Sequence, residues 1–354
     1  MKILFLTLYD KQWADARIRV YQYLPFLEKR GISCKVIPVI TKGFFNYGKP
    51  RYYLSACVSV LFKWLQVVVL SFKYDSILVN NVLLPLHLEK MIKVSKKSIV
   101  YDLCDAPYVG YDTDYLVRDP VRILLGRFGG TWLSRMLRIS KHVLVGNERN
   151  RQFVMDFCQN VSVITGPIDT EKYVPREDRK PESSNVVVGW IGSPSTGPYV
   201  KLLAGAFRTL SEKYPRLTVE LIGAGEVRIE GVPIVMKRWV AESEVADLQN
   251  FDIGIMPLPD NEWTRSKGGY KLIQYMACGI PCVASPVGIN TEIIQDGFNG
   301  FLAKNEEEWV EKLSLLIENP ELRRKMGQNG RTMAEKKYSV QANVPKFLAV
   351  FDVS

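Results

Sequence analysis

The chain has 354 residues, 47% of them hydrophobic and 24% charged, which is enough apolar content for two separate cores and excludes an intrinsically disordered chain. Its formal charge of +10 is unevenly placed: residues 1–175 hold 25 Lys and Arg against 14 Asp and Glu, and residues 176–354 hold 22 against 23. A surplus of +11 confined to one half points to an anionic partner there, either an acidic membrane leaflet, a phosphorylated substrate or nucleic acid. The six cysteines form no CxxC pair and read as buried, reduced thiols.

In chain order, MKILFLTLYD lacks the length and cleavage site of a signal peptide and reads as a first buried strand. The segment Ala14-Asp15-Ala16-Arg17-Ile18-Arg19 follows it and opens a helix expected over Ala16–Arg30, ended by Lys29-Arg30-Gly31. Its charged residues, Arg17 first among them, are read either as solvated or as reaching a ligand cleft. CKVIPVI, SILVN, KSIVYDL and HVLVG are further strands. Between the first two of these lies the apolar stretch Leu54–Phe72, interrupted by Lys63 and Gln66. It reads as a largely buried helix, with a monotopic membrane contact as the other reading. Asp102 and Asp105, in YDLCDAPY, are expected after a strand and suited to orienting an acceptor hydroxyl. His87 and His142 are the only histidines, and neither is placed for acid–base work. No histidine stands near the two aspartates, so no metal site is expected.

The polar stretch EKYVPREDRKPESSN reads as a linker, after which the alternation restarts. NVVVGWIG, LTVELIG, PIVMK, DIGIMPL and PCVAS are strands, with helices near Lys201–Lys213, Glu242–Gln249, Gly269–Cys278 and Asn305–Ile317. Short Val- and Ile-rich runs alternating with helices indicate parallel sheets covered on both faces. The expected architecture is α/β: two doubly wound domains, residues 1–170 and 176–337, separated by a cleft, with a C-terminal helix over about 338–354 packing back on the first domain.

Ligands of such sheets bind beyond the carboxyl ends of the strands, and three loops of the second half qualify. The first, Gly189–Gly197 with Gly192 and Ser193 at its turn, is either an anion cradle or a tight turn. The second, Trp263–Lys271, sets Arg265 and Lys267 beside Gly268 and Gly269 at a helix start, which suits a diphosphate. The third, Ala284–Asn290, would either turn its amides to the same place or serve as a structural turn.

The stretch KLIQYMACGIPCVASPVGINTEIIQDGFNGFL resembles glycosyltransferase family 4 and its GT-B relatives, as do LTVELIGAGE, LQNFDIGIMPL, HVLVGNERN and GPIDTEKYVP. The resemblance implies a GT-B fold of two Rossmann-like domains and retaining transfer of a sugar from a nucleotide-diphosphate sugar to a polysaccharide, lipopolysaccharide or lipid-linked acceptor. It implies donor binding by the C-terminal domain and acceptor binding by the N-terminal one, no metal or other cofactor, and no protein nucleophile. The cations that would take a metal's part are Arg265 and Lys267. Two family glutamates fall on Ser266 and Gln274, so sugar and ribose contacts there would be uncharged. The family's Arg and Lys of the first loop are missing unless Lys201 substitutes, and Arg238-Trp239 lies where relatives contact the base. The expected setting is the cytoplasm, peripheral to the inner membrane face through the basic half. The rival readings are a sugar-nucleotide epimerase, a catalytically inactive nucleotide-sugar-binding subunit and, last for want of an aromatic-basic motif, a nucleic-acid binder.

Overall fold

The computed structural model describes residues 1–40, 62–82, 90, 95–104, 131–177 and 185–351. Asp105, His87, Cys57 and the first part of the Leu54–Phe72 stretch lie outside the described residues. The chain divides into two compact units, Met1–Pro167 with Asn343–Ser354, and Ile168–Ala342.

The first unit is built on six parallel strands: β1 (Lys2–Tyr9), β2 (Ser33–Ile40), β3 (Ser76–Asn80), β4 (Ser98–Leu103), β5 (His142–Val145) and β6 (Val161–Val163), in the order β2-β1-β3-β4-β5-β6. The chain reverses direction across the sheet at β1 and β3, so the loops after these strands open the crevice where ligands of this topology bind. Val, Ile, Leu and Tyr fill β3 and β4, buried on both faces, as all-parallel sheets require. Residues 62–71 form a helix that packs Trp64 and Val67 into this core. The helix expected over Ala16–Arg30 is broken instead into Ala14–Ala16, a π-helical turn Arg17–Tyr21 and Leu24–Glu28. Pro25 has no N–H to give the preceding turn, so the helix restarts at its own first turn. Gly31, at φ 73, takes the left-handed position that ends it.

The second unit repeats the plan with β7 (Val186–Ile191), β8 (Leu217–Ile222), β9 (Ile234–Lys237), β10 (Ile253–Met256), β11 (Cys282–Ala284) and β12 (Gly300–Leu302), in the order β12-β11-β10-β7-β8-β9. Its pairs are all parallel, and counted within the unit this is the strand order 3-2-1-4-5-6 of dinucleotide-binding sheets. The reversal falls between β7 and β10. Tyr275 pins that junction: its hydroxyl accepts from Ile191 N and donates to Ile255 O, at 3.3 and 3.2 Å. Its ring lies against Gly254, where a Cβ would stand 2.4 Å from the ring. Burial pushes the Tyr275 phenol well above its ordinary pKa, so it stays a neutral donor.

Candidate functional site

In the second unit, the loop leaving β7 begins at Gly192, whose N–H continues the ladder to Ile222 O. A Cβ at Gly192 would lie 2.4 Å from the Trp190 ring and 2.7 Å from Lys271 Cε, so only glycine lets this turn pass beneath the Lys271 side chain. Ser193 O accepts the N–H groups of Thr196 and Gly197, and Ser193 Oγ meets Ser195 Oγ at 2.8 Å on the surface. A short 3-10 helix, Gly197–Leu203, follows. Lys201 is exposed on it.

The loop leaving β10 is shaped by a capping box: Asn261 Oδ1 accepts Thr264 N at 2.9 Å and Thr264 Oγ1 accepts Asn261 N at 3.2 Å. Beyond it, Gly269 (φ 65) is the N-cap of the helix Tyr270–Ala277. The third loop packs directly on the second, for a Cβ at Gly288 would stand 2.5 Å from Arg265 O. Lys267 Nζ sits 4.3 Å over the Trp263 ring and Lys271 Nζ 5.3 Å over Trp190, so each ammonium is held by an indole face. Gly192, Lys267, Gly268, Gly269 and Lys271 thus belong to the two loops that leave the strands on either side of the reversal. Lys271 is the residue the sequence reading passed over; its place one residue inside the helix start was the available signal.

The other expected residues take different settings. Arg265, read from the sequence as a phosphate cation, directs Nε to Asp260 Oδ1 at 2.5 Å and Nη2 to Asp260 Oδ2 at 3.0 Å, with Glu262 3.6 Å away. The hydrogen bond and charge of Asp260 raise the guanidinium's pKa; two carboxylates already meet its charge. Ser266 is buried and its hydroxyl donates to Glu262 O at 3.0 Å, the back-bond a serine makes at a helix end. Gln274, also buried, donates Nε2 to Glu244 Oε1 at 2.9 Å, and the other oxygen of Glu244 accepts from Tyr173 OH at 2.9 Å. Gln274 has therefore gained a buried carboxylate partner from the helix Glu244–Leu248. Arg238 is exposed just beyond β9, while Trp239 is half-buried against the core.

In the first unit, Asp102 lies inside β4 rather than after it and is fully buried. It is held by Arg19, not by Arg17. Arg19 Nε reaches both carboxylate oxygens at 3.1 and 3.0 Å, Nη2 reaches Oδ1 at 2.5 Å, and Nη1 donates to Ile164 O at 2.6 Å. Burial opposes the charge on Arg19, but contact with Asp102 outweighs it and raises the pKa. Asn80 Nδ2 donates to Asp102 Oδ2 at 3.2 Å, and Asn81 joins Asp15 Oδ2, at 2.7 Å, to the backbone N–H of Cys104. Asn81 reaches both because it adopts φ 52, which asparagine tolerates. A half-buried Arg17 side chain stands beside this polar cluster in sequence, at the β1–β3 reversal. The sequence alone did not mark Arg19 as the partner, because the π-helical turn sets which of two arginines faces the sheet.

Among the described residues no group of three or more His, Cys, Asp or Glu side chains is placed to hold a metal ion. His142 begins β5, bonded to Ser162 Oγ at 2.9 Å. Cys34, Cys104, Cys158, Cys278 and Cys282 are free thiols, and burial pushes Cys278 and Cys282 up to about 12, which leaves them inert as nucleophiles near neutrality.

Residues 248–333 match the family model of glycosyl transferases group 1. Over 128 residues the chain is 33% identical to an uncharacterized glycosyltransferase of Methanocaldococcus jannaschii, covering 33% of this chain and 35% of the relative. It is 25% identical over 199 residues to D-inositol 3-phosphate glycosyltransferase of Corynebacterium urealyticum, covering 48% and 45%. The chain thus spans about a third of the length of the first relative and less than half of the second. Among solved structures, HepE of Anabaena in complex with UDP and glucose superposes with a TM-score of 0.68 over 100% of both chains, at 16% identity, a likeness of fold. A segment similar to the glycosyl transferases of group 1 thus lies on the second of two parallel, doubly wound sheets, and the fold as a whole is like that of HepE.

Proposed function

We propose that the chain transfers a sugar, with retention and without a metal, from a nucleotide-diphosphate sugar to a polysaccharide, lipopolysaccharide or lipid-linked acceptor. The observation that carries this reading is the pair of loops at the β7–β10 reversal. They combine a glycine turn under Lys271, Lys267 on its indole, and the left-handed Gly269 that opens the N-terminus of a helix. A helix dipole and two ammonium groups favour a doubly charged diphosphate, and they favour it more as the glycosidic bond breaks and the leaving oxygen gains charge. The residues proposed for the donor are Gly192, Ser193, Lys267, Gly268, Gly269 and Lys271, with Arg238 and Trp239 toward the base; Gln274 is tied to Glu244 inside the unit and is not among them. Arg265 shapes the loop through Asp260 instead of meeting phosphate.

The acceptor is assigned to the first unit, near Asp102, Asp105 and Arg17. There Asp102 acts through Arg19 and Asn80 as a fixed support, since it is fully buried. The proposed setting is the cytoplasmic face of a membrane. No helix among the described residues is long and apolar enough to cross one.

The test is incubation with a panel of nucleotide sugars, UDP-glucose first because HepE has been crystallised with it, with detection of released nucleoside diphosphate with and without an extracted glycan or lipid acceptor. Release that requires acceptor is expected. Epimer formation without acceptor would replace this reading with an epimerase, and binding without turnover in any mixture would replace it with an inactive subunit.

A further inference from the structure

The helix 62–71 is mostly apolar, interrupted by Lys63 and an exposed Gln66, and so apolar a helix belongs largely in an interior. Only one side of it is covered: Trp64, Val67 and Ser71 are buried. Phe62, Leu65, Val69 and Phe72, spaced three, four and three residues apart, share the other side and remain 75, 49, 64 and 56% exposed. No acidic residue occurs from Phe62 to Tyr74. Four large side chains left in water on one stripe mark a surface made to be covered.

The charge around it says by what. Because the strands of this unit are all parallel, their N-terminal ends share one edge of the sheet. That edge is basic: Lys2 starts β1, Lys29 and Arg30 precede β2, Lys73 precedes β3, Lys96 precedes β4 and Lys141 precedes β5, each exposed. Among the described residues the carboxylates near that edge are Glu28, Asp75 and, before β6, Asp156, and Asp75 already accepts the Lys2 backbone N–H at 2.7 Å. Phe72 and Lys73 are consecutive, so the apolar stripe runs into the basic edge. The edge lies opposite the strand ends that carry Asn80 and Asn81.

We propose that this unit docks on an anionic lipid surface, with Phe62, Leu65, Val69 and Phe72 entering the acyl boundary and the lysine-rich edge meeting the headgroups. A second copy of the chain is a poorer occupant, since it would set one surplus of positive charge against another. The inference gives a surface to the membrane part of the function proposed above and is independent of the donor site.

The experiment is co-sedimentation of the full chain with vesicles of phosphatidylcholine alone and of phosphatidylcholine with phosphatidylglycerol. Binding is expected only to the anionic vesicles and weakened by salt, since screening shortens the reach of the lysines. Val69→Ser with Phe72→Ser should lower partitioning about tenfold for each side chain withdrawn from the acyl boundary, with unchanged circular dichroism and nucleoside-diphosphate affinity. Lys73→Glu with Lys96→Glu, both on the surface, should lower it without touching the apolar stripe. Equal binding to both vesicle types, no binding to either, or variants that bind like the parent would overturn the proposal. So would a dimer in sedimentation equilibrium that the Ser substitutions dissolve, which would assign the stripe to a second copy. Intact diphosphate binding beside absent vesicle binding would remove this inference and leave the transferase reading standing.

Discussion

Asp102→Ala is expected to destabilise the protein by about 3–5 kcal/mol, because it leaves the Arg19 guanidinium charged and without its partner in the interior. Arg19 is 3% exposed and Asp102 0%, so no water is at hand to replace the carboxylate. Three guanidinium-to-carboxylate contacts and the Asn80 bond would be lost together. The same pair replaced on both sides, Arg19→Leu with Asp102→Leu, should lose much less, since no charge is then stranded. Urea unfolding of the three proteins checks this, with the single variant unfolding at the lowest concentration. A double variant less stable than the single one would show that the pair is net stabilising and that the stranded charge is not the dominant cost. The expected loss is large because the pair does structural work: it fixes the π-helical turn after β1 to the centre of the sheet and to the end of β6 through Ile164 O.

Gly269→Ala is the second large effect, about 2–5 kcal/mol. Two costs combine: a left-handed conformation that an L side chain resists by about 1–2 kcal/mol, and overpacking worth about 1–3 kcal/mol. The overpacking is specific, because a Cβ would lie 2.4 Å from Ile293 Cδ1 and 2.9 Å from Ile289 Cγ2. Gly268 supplies the control, since a Cβ there meets no heavy atom within 4 Å. Gly268→Ala should therefore unfold within about 0.5 kcal/mol of the parent, as surface substitutions do. If both alanines unfolded alike, the left-handed N-cap would not be what holds the second loop against the third. Affinity for a nucleoside diphosphate should fall with Gly269→Ala for the same reason.

Much of this was legible in the residues. The strands announced themselves as short Val- and Ile-rich runs, because a sheet buried on both faces leaves them no polar alternation. What escaped has physical causes. β12 is only three residues long, GFL, too short to carry a pattern. The helix Pro320–Met333 holds Gly327 and Gly330, residues that lower helix propensity. They are there for contact: a Cβ on Gly327 would stand 2.0 Å from Gly279 O, and one on Gly330 3.2 Å from Met276 Cγ, so their absence of side chain lets the helix lie on its neighbour. Neither fact is local in sequence.

The site was legible in its loops and less so in its side chains. Gly268-Gly269 at a helix start, with Lys267 beside them, follows from helix-end chemistry. That Asp260 would claim Arg265, Glu244 would claim Gln274, and Arg19 instead of Arg17 would face Asp102 depends on partners 5, 30 and 83 residues away. Charge type can be read from a sequence, but which opposite charge reaches it first is settled by packing. Ser266 and Gln274, uncharged where the family that the sequence resembles carries two glutamates, are both tied inward, so the donor site proposed above is drawn on the lysines.

The central claim, that the β7–β10 reversal holds the diphosphate of a nucleotide sugar, is tested most directly by calorimetric titration of a nucleoside diphosphate into the parent chain and Lys267→Ala. One saturable site is expected in the parent, weakened about ten- to a hundredfold in the variant through loss of a charge-assisted phosphate contact worth about 1.5–3 kcal/mol, with unfolding unchanged. Equal affinity in the two proteins, or no binding in the parent, would contradict it.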